Sequence, residues 1–198
     1  LSGVDTRELT NLIRDKGMPN GVVAHNAKGK FDVKKLLAMA KAWGGLEGLD
    51  LAKDVSLTQR MEWDENEWDW TKGYTNAVGG KYKVVAIDYG LKRNILRCLT
   101  SVGCDVTIVP ANASASDILA MKPDGIFLSN GPGDPAATGE YAVPEIQKLI
   151  ASGKPIFGIC LGHQMLGLAL GAKTKKMHQG HHGANHPVQD VTTVKVEI

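Results

Sequence analysis

The 198-residue sequence predicts an α/β fold in which a mostly parallel, open sheet carries helices on both faces. From residue 82 onward, short continuous apolar runs alternate with helix-like segments, a pattern typical of strands that are buried on both sides. A second observation is an apolar run that ends at Cys160 and is followed at once by a helical pattern. Gly158 and Gly162 flank this cysteine, as expected of a tight turn between a strand and a helix.

The elements of this sheet can be assigned in order. Strands are predicted over 84–87, 106–109, 125–128 and 155–159, and helices over 93–102, 116–121 and 141–151. Ser114 or Ser116 is expected to cap the second of these helices. Ligands of parallel sheets lie outside the carboxyl ends of the strands. We therefore expect three loops to meet at one edge: residues 88–92, residues 129–135 and the turn at Cys160.

Residues 1–70 read differently and are predicted to form part of a smaller α/β domain that precedes the sheet. A linker rich in Gly, Asn and Thr follows over 71–81, and the sheet domain occupies 82–198. The sequence starts without Met, and residues 191–198 resemble a strand from the middle of a sheet. Both ends are therefore expected to be cut.

Two helices are predicted in the first segment. Asp5 begins one of them with a capping box, and Asp32 begins the other. Trp63, Trp68 and Trp70 alternate with polar residues, which suggests an edge strand or an ordered connector.

The composition argues against several function classes. The net charge is +2, and the basic residues are dispersed, without the basic stripe that marks nucleic-acid binding. The longest apolar stretches have the length of strands, which argues against a membrane span. Three irregularly spaced cysteines indicate neither a disulfide framework nor a metal site. A reducing compartment is expected, most simply the cytoplasm.

Cys160 has the setting of a nucleophile. The turn projects its sulfur at the start of a helix, where unpaired N–H groups and the helix dipole favour a thiolate. Most cysteines in apolar surroundings are buried side chains without a chemical role, and Cys98 and Cys104 fit that description. At Cys160 the strand, the two flanking glycines and the helix start agree, so we favour the nucleophile.

The loop 130–134 can supply an oxyanion hole. Gly131 and Gly133 let its backbone pass close to a ligand. An N–H group of this loop and the N–H of Leu161 would form the two halves of the hole. An ordinary Gly/Pro turn is the alternative, and a phosphate loop is a weaker one, because neither common phosphate-binding glycine motif is present.

Histidines are candidates for a metal site or a base. The spacing of the C-terminal cluster matches no common zinc pattern, so no metal is expected and a loop packed near the site is preferred. The members of that cluster are His178, His181, His182 and His186. His163 follows Cys160 too closely to act easily as its base. The sequence offers no convincing base for Cys160, which would come from a later element.

Several strings resemble a known family. Residues 158–164 resemble the nucleophile motif of the triad-type, or class I, glutamine amidotransferases, and residues 128–135 resemble a second signature of that family. Residues 88–96 and 180–187 resemble the carbamoyl-phosphate synthase branch, whose small chains are glutaminases. Residues 5–10 resemble the end of the N-terminal domain of those chains. The likeness covers essentially the whole sequence and implies a flavodoxin-like sheet.

The resemblance implies a reaction. Cys160 would attack the side-chain amide of L-glutamine, form a thioester and release ammonia. Four further residues would line the glutamine pocket: Gly131, Gly133, Leu161 and Gln164. Ammonia would pass through a tunnel to a large synthetase chain, the partner in a heterodimer. That chain makes carbamoyl phosphate from bicarbonate with ATP and Mg, for arginine and pyrimidine synthesis, and no cofactor is expected in the present chain.

The family also has a catalytic His and Glu in a His-x-Glu string that residues 1–198 lack. These residues alone are therefore expected to be inactive. Two other functions remain open: the glutaminase of another amidotransferase, as in GMP or anthranilate synthesis, and a non-catalytic binding module. Residues 1–70 and the histidine-rich string disfavour the first. Modification of Cys160 by a glutamine-like electrophile would disfavour the second.

Overall fold

The computed structural model describes residues 3–180 and 186–198. Its helices are α1 (Thr6–Lys16), α2 (Val33–Ala42), α3 (Ala52–Val55), α4 (Arg93–Ser101), α5 (Ala115–Ala120), α6 (Pro135–Ala151) and α7 (Leu161–Ala169). Its strands are β1 (Met61–Trp63), β2 (Tyr82–Asp88), β3 (Cys104–Pro110), β4 (Gly125–Leu128), β5 (Ile156–Gly158), β6 (Val188–Gln189) and β7 (Val196–Glu197). The chain divides into two compact units: Leu46–Thr174, and Leu1–Gly45 together with Lys175–Ile198.

The larger unit is built on a sheet with the strand order β1-β3-β2-β4-β5. The neighbours from β3 to β5 are parallel, whereas β1 is antiparallel to β3. The predicted mostly parallel open sheet is confirmed. Trp63 lies in the edge strand, as one of the two interpretations of the tryptophan segment had it.

Alternate residues of the strands supply two separate cores, because successive side chains of a strand point to opposite faces. Val85 and Ile87 of β2 pack with buried residues of α5, α6 and α7. Ala86 of β2 and Phe127 of β4 pack with Leu96 of α4 on the other face. Helices therefore cover both faces, as predicted.

Residues 46–70, which the sequence analysis assigned to a preceding domain, belong to the larger unit that contains the sheet. Ala52 of α3 is fully buried in the core of that unit. The Leu57 N–H donates to the Asp88 carboxylate (2.8 Å), and β1 pairs with the edge of β3. The boundary between the two compact units therefore lies after Gly45. The domain limits expected from the sequence, 1–70 and 82–198 with a linker over 71–81, stay a prediction.

Helix α6 starts at Pro135, well before the predicted start at Tyr141. Asp134 caps it by accepting a hydrogen bond from the Ala136 N–H (2.9 Å). The added turns contain Thr and Gly, which are weak helix formers. They are held instead by burial, since Thr138 is inaccessible to solvent.

The smaller unit contains α1, α2 and the antiparallel pair β6–β7. Both helices begin as predicted: Asp5 accepts from the Glu8 N–H (2.9 Å) and Asp32 from the Lys35 N–H (3.0 Å). Neither helix contains a buried residue. Of all helices in residues 3–180 and 186–198, none has the length and hydrophobicity that a membrane crossing requires.

Candidate active site

Cys160 occupies a strained turn between β5 and α7. Its backbone has φ 54° and ψ −112°, a region that L-residues rarely adopt. A Cβ at Gly158 would lie 2.7 Å from the His163 nitrogen, and one at Gly162 would clash with the Leu128 carbonyl. Both flanking glycines are therefore required by the turn. The conformation leaves Cys160 exposed to solvent.

Helix α7 begins directly after this cysteine. The Gln164 N–H donates to the Cys160 carbonyl (3.0 Å), the first bond of the helix. Leu161 and Met165 are buried and anchor α7 on the sheet, whereas the Gln164 side chain is exposed on the same first turn. The Cys160 sulfur and the Gln164 amide thus both lie at the N-terminal end of α7.

Ser129 joins the three loops that the sequence predicts to meet here. This residue is completely buried at the end of β4. Its hydroxyl accepts from the Tyr89 N–H (2.9 Å) and donates to the Asn130 carbonyl (2.8 Å). Its own carbonyl accepts from the Gly162 N–H (3.0 Å). One side chain and its carbonyl therefore connect the loop after β2, the loop after β4 and the cysteine turn.

Asp88 organises the loop after β2, a role that the sequence analysis missed. Its carboxylate is nearly inaccessible and accepts from the N–H groups of Gly90 (2.9 Å) and Leu91 (2.8 Å). It also accepts from the Leu57 N–H (2.8 Å). An Asp side chain commonly accepts hydrogen bonds from backbone N–H groups a few residues further on, so the signal was available for the local contacts.

Asn130 ties the same loop to residues 130–134, the glycine loop. Its amide donates to the Gly90 carbonyl (2.9 Å) and accepts from the Lys92 N–H (3.0 Å). Gly131 then packs so tightly that a Cβ would lie 2.9 Å from the Leu161 Cδ2. The structure therefore brings Gly131 against Leu161, at the start of α7.

Three backbone N–H groups of the glycine loop and of the start of α7 are unpaired. Within the described ranges, those of Gly131, Gly133 and Leu161 donate no hydrogen bond. Unpaired donors at a helix start and in a glycine loop are the groups that stabilise an oxyanion.

The part of the chain that the structure describes gives the Cys160 sulfur no hydrogen-bonding base. His163 is exposed on α7. His178 Nε2 lies 3.2 Å from the Arg14 carbonyl, within the smaller unit. His181 and His182 of the histidine cluster lie outside the described residues. No group of potential metal ligands occurs among the residues that are described.

The other two cysteines differ from Cys160 in their surroundings. The Cys98 sulfur donates to the Glu67 carboxylate (3.3 Å), and burial together with this bond raises its pKa. Burial raises the pKa of Cys104. Both are less exposed than Cys160. Because a raised pKa disfavours the thiolate, neither has the environment of a nucleophile.

Comparisons with known proteins point to one family. The model of "Glutamine amidotransferase class-I" matches residues 85–197. The chain is 70% identical over 198 residues to the carbamoyl phosphate synthase small chain of Caulobacter vibrioides, covering 100% of this chain and 51% of that protein. It is 68% identical over 198 residues to the small chain of Bradyrhizobium diazoefficiens, with 100% and 50% covered. The chain therefore spans about half the length of the curated relatives it matches.

Proposed function

This chain belongs to the class-I glutamine amidotransferase family, and from that premise we propose that it is part of the glutamine-hydrolysing small chain of a carbamoyl-phosphate synthase. One observation carries the proposal. Cys160 is exposed in a strained turn at the start of α7, where the backbone N–H of the next residue, Leu161, donates to no acceptor among the described residues. Strain of this kind is characteristic of functional positions.

The proposed reaction has two stages. The Cys160 sulfur attacks the side-chain amide carbon of glutamine, and the N–H groups of Leu161 and the glycine loop stabilise the oxyanion that forms. The carbon–nitrogen bond then breaks, and the nitrogen takes up a proton and leaves as ammonia. Water hydrolyses the thioester to glutamate and restores the thiol. Gly131, Gly133 and Gln164 are proposed to line the glutamine pocket.

Protonation of the leaving nitrogen requires a group that acts as base and then as acid, and no described residue places such a group at the sulfur. We propose that the family's His and Glu supply it from the part of the relatives' length that this chain does not span. The whole chain, and not residues 1–198 alone, is the proposed catalyst.

The names of the relatives support a partner. We propose that ammonia passes to a large synthetase chain in a heterodimer, where bicarbonate, ATP and Mg yield carbamoyl phosphate. That product would serve arginine and pyrimidine synthesis in the cytoplasm. The proposal assigns no cofactor to the present chain.

A substitution in the full-length chain, assembled with its large chain, tests this function. Cys160→Ser is expected to abolish glutamine-dependent carbamoyl phosphate synthesis and to leave ammonia-dependent synthesis intact, because only the glutaminase step needs the thiolate. Cys98→Ser is the matched control and is expected to change neither rate. Unchanged glutamine-dependent synthesis in Cys160→Ser would refute the function. Equal loss of both rates would indicate a structural cysteine.

A further inference from the structure

Two hydrogen bonds hold the cysteine turn against the end of β4. The Ile159 N–H, just before Cys160, donates to the Leu128 carbonyl (3.1 Å). The Gly162 N–H, two residues after Cys160, donates to the Ser129 carbonyl (3.0 Å). The proposed nucleophile is therefore fixed from both sides to the residues that lead into the glycine loop.

Gly131 brings the glycine loop onto the same turn. A Cβ at this position would lie 2.9 Å from the Leu161 Cδ2 and would also collide with the Tyr89 carbonyl. Leu161 directly follows Cys160, and its N–H, like that of Gly131, has no acceptor among the described residues. The Gly131 N–H is thus an unpaired donor in a part of the loop that packs directly on the cysteine turn.

The direction of the Gly131 N–H is set by the carbonyl of the same peptide group. A trans peptide group is planar, so the Asn130 carbonyl and the Gly131 N–H point in opposite directions. Among the described residues, this carbonyl accepts only from the Ser129 hydroxyl (2.8 Å). Ser129 is completely buried, whereas Gly131 is partly exposed. The carbonyl is therefore directed to a buried hydroxyl, and the N–H is directed away from it.

The Ser129 hydroxyl is itself oriented by the loop after β2. The Tyr89 N–H donates to its oxygen (2.9 Å) and occupies a lone pair, so its single proton is left for the Asn130 carbonyl. Without that proton the peptide group before Gly131 would be free to rotate, because glycine tolerates both signs of φ. The hydroxyl thus fixes a peptide group that the loop sequence leaves adjustable.

We propose that Ser129 is a positioning residue for glutamine hydrolysis. By holding the Asn130 carbonyl, its hydroxyl keeps the Gly131 N–H turned toward the oxyanion that forms when Cys160 attacks the amide. Ser129 itself touches no substrate. The inference rests on the proposed function, because the direction of this N–H matters only if an oxyanion forms at Cys160.

Ser129→Ala in the full-length chain, assembled with the large chain, removes the hydroxyl. We expect kcat for glutamine hydrolysis to fall about ten- to hundredfold and KM to stay within about threefold, because an oxyanion donor acts in the transition state. Ammonia-dependent synthesis should be unchanged. The rate at which iodoacetamide alkylates Cys160 should also be unchanged, since alkylation needs the thiol but no oxyanion hole. Mass spectrometry of the peptide that contains Cys160 measures this rate.

Ser56 supplies the matched control. Its hydroxyl also accepts from a backbone N–H, that of Ala111 (2.9 Å), and also donates to the carbonyl of the next residue, Leu57 (3.2 Å). Ser56→Ala therefore removes the same pair of hydrogen bonds, from partners outside the glycine loop and the cysteine turn. Its kcat for glutamine hydrolysis should stay within about twofold of the wild type.

Ser129→Cys provides a milder change at the same position. The thiol is a weaker donor and acceptor than the hydroxyl, so kcat should lie between those of the wild type and Ser129→Ala. This variant decides the question if Ser129→Ala does not assemble: a lowered kcat with normal alkylation of Cys160 supports the inference, and a normal kcat overturns it.

The inference is also overturned by a normal kcat in Ser129→Ala, by an equal loss in Ser56→Ala, by a loss confined to KM, or by slower alkylation of Cys160 in the Ser129 variants. If Cys160→Ser is inactive with glutamine while Ser129→Ala is normal, the inference about Ser129 fails and the proposed function stands.

Discussion

Two glycines of α7 show how strictly the site constrains single residues. At position 162 the helix passes against β4, and a Cβ would clash with the Leu128 carbonyl. At position 167 the nearest atom to an added Cβ is the Ala172 Cβ at 3.7 Å, an ordinary contact. The same amino acid is thus required at Gly162 and replaceable at Gly167.

Opposite effects on stability are therefore expected from the same substitution in one helix. Gly162→Ala should lower the free energy of unfolding by about 2–3 kcal/mol, because α7 must move away from the sheet. Gly167→Ala should raise it by about 0.5–1 kcal/mol, because alanine is the better helix former. Urea denaturation of the two variants measures both changes. Equal effects would contradict the close approach at Gly162.

At the scale of elements, Glu145 joins α6 to α5. Its carboxylate accepts from the Ala115 N–H (2.6 Å), in the first turn of α5, and from the Lys148 ammonium (2.6 Å). The hydrogen bond from Ala115, followed by the one from Lys148, lowers the pKa of Glu145. The ionised carboxylate thus stabilises the contact between the two helices.

This contact should depend on pH. Because the folded-state pKa of Glu145 lies below its unfolded value, the stabilisation is present above the unfolded pKa and is lost as the pH falls through the folded pKa. Glu145→Gln should lower the free energy of unfolding by about 0.5–1 kcal/mol at neutral pH. The difference from the wild type should shrink in acid. Urea midpoints over a pH series measure it, with Glu140→Gln, an exposed position on α6, as the control.

Local patterns predicted the elements that carry their own signals. The strand predicted over 125–128 matches β4 in full, because a short apolar run between turn residues needs no distant information. The start of α6 was missed, because residues 135–139 lack apolar periodicity and are held by the Asp134 cap and by burial. Helix α3 was missed for a similar reason, since only the core contacts of Ala52 reveal it.

In the candidate site too, local features could be predicted from the sequence, whereas long-range contacts could not. The spacing of glycines around Cys160 marks a strained turn, so the sequence was sufficient there. Ser129 was not predicted to matter, because its partner, Tyr89, is distant in sequence. Such contacts depend on the arrangement of the loops, which no local pattern contains.

At the scale of the molecule, the two units differ in how much they bury. The larger unit has a core on each face of its sheet. In the smaller unit, α1 and α2 contain no buried residue, and Leu37, Met39 and Trp43 are each about half exposed. Burial of apolar surface is the main stabilising contribution to folding, so α1 and α2 gain little stability from it.

Amide hydrogen exchange on a sample of residues 1–198 should reveal this difference. The N–H groups of α1 and α2 should exchange much faster than those of β2 and β4, because opening the helices exposes little buried surface. Mass spectrometry of the exchanged peptides measures the protection of each segment. Equal protection of the helices and the central strands would show that the smaller unit is as stable as the sheet.

The backbone conformation of Cys160 lowers the stability of the fold, whereas its side chain is the proposed nucleophile. Its conformation is unfavourable for any residue with a Cβ, by about 1–3 kcal/mol, and glycine would relieve most of that strain. Glycine carries no sulfur, so the most stable sequence at this position would be an inactive one. A screen that selects variants by melting temperature would therefore discard the nucleophile. Keeping the thiol at this position lowers the stability of the folded chain.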